Sequence, residues 1–174
     1  PGSAATSSLE LPGVLTTTEF EQHARNWLVR ARRDRDDLVL VMMDVANLEH
    51  MNTAFGRDYG DEAIRATARI ALDSLPSAAL VGYRHGKRFT ILTTAPRVGD
   101  AVIVAERLHT ALVETPIDPV EGIRAVATCG MATTRETGYD FAALRLASIR
   151  ALDDASQSGA GSIRRVEGPI PPAV

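Results

Sequence analysis

The pattern of apolar and polar positions is organised around one strongly apolar run. Six consecutive apolar residues, 38–43, lie between the charged stretch 32–37 and Asp44. A continuous apolar run of this length predicts a strand that is buried on both faces. Asp44 then lies at the C-terminal edge of the sheet, where open α/β sheets place ligands. This carboxylate is therefore either a ligand group or an N-cap of the helix that follows.

Apolar residues at helical spacing predict the helices on either side of this strand. They are predicted from residue 18 into the charged stretch, over a short segment at 48–55, and over 61–75, 101–114 and 140–156. Gly56 and Gly60 are expected to bracket a turn before Asp61 begins its helix, and Pro76 is expected to end that helix.

Shorter apolar runs predict the remaining strands. Two of them form a β-hairpin at residues 79–93, because the polar link between them contains Gly86. Further strands are predicted at 123–133 and 162–166. This order predicts an α/β fold of the α+β two-layer type, with a ferredoxin-like mixed sheet of about five strands flanked by helices. The hairpin is expected beside the central strand, with its turn at the same edge as Asp44.

Composition adds limits on the class of protein. The chain of 174 residues is 45% hydrophobic and 24% charged, with a net charge of −3, which is typical of one soluble domain and weighs against nucleic acid as a partner. No apolar run is long enough to insert into a membrane, and no signal peptide is visible. The single cysteine, Cys129, excludes an internal disulfide and favours a cytoplasmic setting.

The ends of the chain differ from its middle. Residues 1–10 are expected to be a disordered lead that includes an expression remnant, Pro1-Gly2-Ser3, and residues 168–174 a Pro-rich linker or terminus. The folded domain is then 11–167. We expect it to be one part of a longer protein, which could be attached to a membrane from the cytoplasmic side.

Several segments carry a resemblance to one family. The run Asp44–Asn52, with Phe55-Gly56 and Gly60-Asp61 after it, resembles the D-I-D-x-F-K-x-I-N-D-x-x-G-H-x-x-G-D segment of GGDEF domains, the diguanylate cyclases. Continuing without a gap places the signature pentapeptide on His85-Gly86-Lys87-Arg88-Phe89. Three weaker likenesses extend the resemblance to about residues 10–166: Leu11–Val14, Thr128–Ala132 and Ala151–Gly159.

The resemblance implies a nucleotidyl-cyclase palm and a known chemistry. In that family two GTP-loaded domains condense their nucleotides into cyclic di-GMP, with Mg²⁺ held by two carboxylates and a backbone carbonyl. The first metal carboxylate corresponds to Asp44 and the carbonyl to Val45. The two guanine contacts correspond to Asn52 and Asp61.

The groups that handle phosphate and metal depart from the family pattern. Lys87 and Arg88 replace the two acidic signature residues, and Glu49 replaces a lysine. The phosphate-binding Lys and Arg of the last helix correspond to Ser156 and Ala160. The product-inhibition motif R-x-x-D, which would fall on residues 76–79, is absent. Mg²⁺ requires hard oxygen donors, so we predict no metal, no cofactor and no catalytic residue.

The remaining residues then form a vestigial active site: Asp44, Val45, His85, Gly86, Lys87, Arg88 and Phe89. The candidate ion pair joins Asp44 or Glu49 to Lys87, with Arg88 as the alternative cation. The candidate nucleotide-binding residues are Asn52, Asp61, Lys87 and Arg88. The alternatives are that salt bridges simply fill an inactive site, that Asp61 caps its helix, and that Asn52 bonds to the adjacent turn.

These features predict a catalytically inactive regulatory or interaction module of bacterial signalling. It would bind GTP or another guanine nucleotide without turnover, or a partner protein domain. One alternative is a structural dimerisation domain that forms a homodimer and binds no nucleotide. Another is a nucleotidyl cyclase with altered metal ligation, for which Glu49 is the only spare local acid.

Overall fold

The computed structural model describes residues 9–166, so the expectations for most of the lead and for the Pro-rich tail lie outside the described residues. The elements in chain order are α1 (Thr17–Asp34), β1 (Leu38–Val45), α2 (Leu48–Phe55), α3 (Arg57–Ser74), β2 (Leu80–Tyr83), β3 (Arg88–Thr94), α4 (Asp100–Glu114), β4 (Ala127–Thr133), α5 (Thr134–Thr137), α6 (Phe141–Gln157) and β5 (Ile163–Arg165).

The five strands form one mixed sheet in the order β2-β3-β1-β4-β5. The central strand β1 is antiparallel to both of its neighbours, and only β4 and β5 pair in parallel. Every residue of β1 is buried, as its apolar run predicts. The first four strands have the ferredoxin-like order, and the predicted fold class is confirmed.

Helices cover both faces of the sheet and divide the core into two layers. Alternate residues of β1, including Val41 and Met43, face α2, α3 and α4. The others, including Leu40 and Met42, face α1 and α6. Because side chains alternate along a strand, the side chain of Asp44 lies on the same face as Met42, towards α1 and α6.

The start of α3 differs from the sequence prediction. The helix begins at Arg57, so Gly60 lies within it, and the N-cap alternative for Asp61 is wrong. In the sequence the two glycines look like the bounds of one turn, but in the structure they have separate roles. Gly56 adopts a positive φ of 92° that divides α2 from α3. Gly60 leaves room for a neighbour, since a Cβ there would lie 1.7 Å from Oδ1 of Asn52.

Two further differences surround β4. The strand begins at Ala127 and not at residue 123, because Ile123 instead forms an isolated bridge with Asp118. The short helix α5 was not predicted. It begins directly after β4, where Thr133 and Glu136 form a capping box.

None of the helices within residues 9–166 combines the length and the apolar character that a membrane span requires.

Candidate functional site

The hairpin places Arg88 directly opposite Asp44. The two residues are register partners in the β1–β3 pair. Nε of Arg88 donates to Oδ1 of Asp44 at 2.8 Å, and Nη2 donates to Oδ2 at 3.1 Å. The carboxylate is nearly buried, with 7% of its side chain exposed, whereas the guanidinium side chain is 42% exposed. This two-point geometry is the strong form of an arginine–carboxylate contact.

The hydrogen bond with Asp44 raises the pKa of Arg88 above its ordinary value, against the opposing effect of partial burial. The negative charges of Asp44 and Asp153 also raise the pKa of Arg88. Arg88 is therefore a fixed cation at the point where β1 leaves the sheet.

The prediction that Lys87 pairs with Asp44 or Glu49 was wrong. Lys87 makes no side-chain ion pair within residues 9–166, and neither does the exposed Glu49. Lys87 precedes β3 and contributes its backbone, because its carbonyl accepts the N–H of Val45 at 2.8 Å. Strand register brings Arg88, the alternative cation, onto the carboxylate of Asp44.

The rest of the signature pentapeptide holds the hairpin turn in place. Gly86 has a positive φ of 74°, and its carbonyl accepts the phenolic O–H of Tyr83 at 2.7 Å. Phe89 is fully buried against the α2–α3–α4 layer, and its ring centroid lies 5.0 Å from that of Tyr83. His85 is exposed in the turn. The residues predicted to form a vestigial active site thus include the turn of the hairpin, where the side chains of Lys87 and Arg88 are exposed.

Asn52 and Asp61 lie together at the junction of α2 and α3. The side chain of Asn52 packs over Gly60, next to the exposed Asp61. Asp61 is also close to the hairpin, since the pKa of Tyr83 is raised by burial and then by the charge of Asp61. This junction is on the α2–α3–α4 face, whereas the guanidinium of Arg88 is on the α1–α6 face. The four predicted nucleotide-binding residues therefore belong to two parts of the fold, Asn52 and Asp61 to the α2–α3 junction and Lys87 and Arg88 to the hairpin.

The residues at Asp44 do not fit a divalent metal. Both carboxylate oxygens of Asp44 accept from Arg88. Across residues 9–166, no three His, Cys, Asp or Glu side chains converge as a metal site would require. A hard cation such as Mg²⁺ needs several oxygen donors and is repelled by a guanidinium in direct contact with its ligand.

A cavity of about 640 Å³ lies on the α1–α6 face, directly beneath the hairpin. It is bounded by α1, the turn between β2 and β3, and α6. Its lining comprises Thr17, Phe20, Glu21, Arg25, Met42, Asp44, residues 82–88, Thr90, Phe141, Ala142, Arg145 and Ile149. Sequence reasoning missed this site, because α1 and α6 are far apart in the chain and no motif links Arg25 to Arg145.

Comparison with known proteins gives a consistent picture. The family model "Diguanylate cyclase, GGDEF domain" matches residues 10–162. A curated relative, the probable diguanylate cyclase DgcC of Escherichia coli K12, is 28% identical over 102 residues. That alignment covers 59% of this chain and 28% of DgcC, so the chain spans about a quarter of the relative's length.

Two solved structures share the fold. The GGDEF domain of YfiN (TpbB) from Pseudomonas aeruginosa superposes with a TM-score of 0.83 at 24% identity, covering 90% of this chain and 99% of that one. The diguanylate cyclase SiaD of Pseudomonas aeruginosa, solved in complex with its activator SiaC, gives a TM-score of 0.77 at 25% identity. That match covers 88% of this chain and 59% of SiaD.

Proposed function

We propose that the chain, which belongs to the GGDEF domain family of diguanylate cyclases, is a non-catalytic regulatory domain of bacterial cyclic di-GMP signalling. It works in the cytoplasm as one part of a longer protein. It binds a guanine nucleotide without turnover, or a partner domain, and passes the change to the rest of that protein.

One observation carries the loss of catalysis. The only acidic side chain left from the metal site, Asp44, has both oxygens engaged by the guanidinium of Arg88. Phosphoryl transfer depends on metal ions that neutralise the charge of the triphosphate. A fixed side-chain cation supplies charge at this point but offers no open coordination position, so it does not replace the ion.

Nucleotide turnover tests this part of the proposal. The domain is incubated with GTP and either Mg²⁺ or Mn²⁺, and cyclic di-GMP is measured chromatographically. We expect no product. The matched variants Lys87→Glu/Arg88→Glu and Lys87→Gln/Arg88→Gln show whether acidity matters, because only the former restores charged carboxylate ligands. Mg²⁺ should raise the melting temperature of the Glu variant alone. Product formation by the unaltered domain would refute the loss of activity.

The nucleotide-binding part of the proposal rests on the α2–α3 junction. Asn52 packs there against Gly60, the residue that precedes Asp61, and Asp61 is exposed and free of ion pairs within the described part of the chain. A carboxylate and an amide together can pair with the donor and acceptor edge of guanine. Gly60 allows this proximity, since any side chain there would displace Asn52.

Calorimetric titration with GTP and cyclic di-GMP, with and without Mg²⁺, tests this binding. We expect binding that is independent of Mg²⁺ and is weakened in Asp61→Asn. The exposed Asp58→Asn, on the same helix, serves as the control. Absence of heat with every guanine nucleotide would refute nucleotide binding and leave the interaction role.

A structural dimerisation domain is the second candidate. Apolar side chains are exposed on α4 and after it, with Ile103 48%, Val113 49% and Val120 88% exposed. Sedimentation velocity over a range of protein concentrations tests this alternative. A dimer that persists without nucleotide and is disrupted by Ile103→Glu would favour it over the regulatory role.

A further inference from the structure

We propose that the cavity between α1, the hairpin and α6 binds a nucleotide-class ligand, with a flat aromatic ring over its floor and a phosphate at its rim. Neither Asn52 nor Asp61 lines this cavity, although Lys87 and Arg88 do. The site is therefore additional to the guanine contacts at Asn52 and Asp61.

The floor of the cavity is apolar and partly aromatic. Phe20 and Phe141 contribute rings whose centroids lie 6.4 Å apart, and Met42 and Ile149 complete the surface. Gly82 keeps the floor low, because a Cβ at that position would lie 2.9 Å from the ring of Phe20. Such a surface suits a flat aromatic group, which gains from the burial of apolar area.

The rim of the cavity has an excess of positive charge. Five cationic side chains line it against two acidic ones, although the whole chain has a net charge of −3. Both acids are already engaged, Asp44 by Arg88 and Glu21 by Arg25. The side chains of the other three cations, Arg84, Lys87 and Arg145, make no hydrogen bond or ion pair with the residues that the structure describes. An anionic ligand would satisfy these groups.

Arg25 is held in position before any ligand arrives. Its Nε and Nη2 donate to Oε1 of Glu21 at 3.0 and 2.8 Å. Its guanidinium carbon lies 5.2 Å from the ring centroid of Phe141. A guanidinium fixed over an aromatic ring presents its remaining donors to the cavity with little further loss of conformational freedom.

The shape and chemistry together favour a small phosphorylated ligand. A volume of about 640 Å³ is within the range of small-molecule pockets, roughly 300–1,000 Å³. Arginine and lysine pair well with phosphate oxygens, and the aromatic floor accounts for the base.

The experiment uses GMP and AMP as probes, with adenosine and inorganic phosphate as half-probes, in calorimetric titrations without divalent metal. We expect at least one nucleotide to bind more tightly than either half-probe. The charge reversal Arg84→Glu/Arg145→Glu should weaken binding by about tenfold or more for each reversed cation. Arg150→Glu is the control, because Arg150 is exposed on the same helix and does not line the cavity.

A second variant tests the location without altering charge. Ala142 lines the cavity at the start of α6, so Ala142→Trp should fill it and abolish nucleotide binding. Leu146→Trp is the control, since Leu146 is 49% exposed and lies outside the lining.

Three results would overturn the inference. The first is that neither nucleotide binds. The second is that inorganic phosphate binds as tightly as the nucleotides, which would leave no role for the aromatic floor. The third is that binding is retained in Arg84→Glu/Arg145→Glu but lost in Asp61→Asn, which would place the nucleotide at the α2–α3 junction and support the proposed function instead.

Discussion

The two ends of β1 handle charge in contrasting ways. At the Leu38 end, acidic and basic side chains from several elements form a network of two adjacent groups, one around Asp37 and one around Glu136. At the Asp44 end, the ion pair of Asp44 with Arg88 lies near Arg84, Lys87 and Arg145, whose side chains have no ion-pair partner among residues 9–166. The charged side chains at the start of β1 are therefore paired with one another, whereas three cations near its end are exposed and have no ion-pair partner among the described residues.

The network at the Leu38 end begins with Asp37. Arg135 pairs with its carboxylate at 2.9 Å and also donates to the backbone carbonyls of Ala95 and Pro96. Thr134 donates to Asp37 at 3.0 Å and accepts the N–H of Leu38 at 3.1 Å. These contacts tie β1, β3 and β4 together at one edge.

Glu136 is the centre of the second group, which reaches β5. It accepts the backbone N–H of Thr133 at 2.6 Å and also contacts the Thr133 hydroxyl and the guanidinium of Arg165. Its side chain is 5% exposed, so its burial is close to that of Asp44. Burial alone therefore does not distinguish the two acids. The difference is that Glu136 has partners from two elements and Asp44 has one partner, on a hairpin.

This contrast indicates which end is available for function. A buried acid with several fixed partners is structural, whereas cations that remain without partners beside a cavity are available to a ligand. The predictions below test whether the two ends differ in this way, beginning with the largest effect.

The largest loss of stability is expected from Glu136→Ala. The change leaves the buried Thr133 N–H and Arg165 without their acceptor, which should lower the free energy of unfolding by about 3 kcal/mol. Urea denaturation followed by circular dichroism measures the loss. Glu114→Ala, an exposed acid outside any ion pair of the described residues, is the control and should change stability little. Equal effects of the two changes would contradict a special role for Glu136.

A smaller loss, about 2 kcal/mol, is expected from Arg88→Ala, because the nearly buried Asp44 is left without its counter-ion. Asp44→Asn should cost less, since the exposed guanidinium can be solvated. In the double variant the two losses should not add, as expected for directly paired groups. Additive losses in the urea experiment would mean that the pair does not act as a unit.

The pH dependence of the free energy of unfolding should report on the Leu38 end, with a smaller effect than either substitution above. Burial raises the pKa of Glu136, but hydrogen bonds from Thr133 and Arg165 outweigh this and hold it below its ordinary value. Its contribution to stability is therefore present above the unfolded pKa, about 4.3, and is lost as the pH falls through the folded pKa. The stability advantage over Glu136→Gln should be full at pH 6 and shrink towards pH 3. An advantage that grows on acidification would reverse the assigned direction.

The smallest effect is expected from Lys87→Ala, below about 0.5 kcal/mol. Its backbone carbonyl, and not its ammonium, holds the N–H of Val45. Thermal denaturation, with Arg88→Ala as the comparison, measures this difference. A loss as large as that of Arg88→Ala would show that Lys87 takes part in the pairing of Asp44.

Local patterns were sufficient for much of the fold. The apolar run of β1 and the Gly86 hairpin were both predicted, because each depends on residues close together in sequence. The start of α3 was not, since Gly56 and Gly60 look alike in sequence and differ only in what they contact. The partner of Asp44 depends on strand register, which the sequence left open between Lys87 and Arg88. The cavity could not be predicted, because α1 and α6 meet only in the folded chain.

The Asp44–Arg88 contact also constrains how this lineage could change. An acid introduced at position 88 alone would set two carboxylates across from each other without a cation, which is unfavourable until a metal binds. An acid introduced at position 87 alone would leave the guanidinium on Asp44. Position 88, and not position 87, therefore controls whether the carboxylate of Asp44 is open to a cation other than a guanidinium.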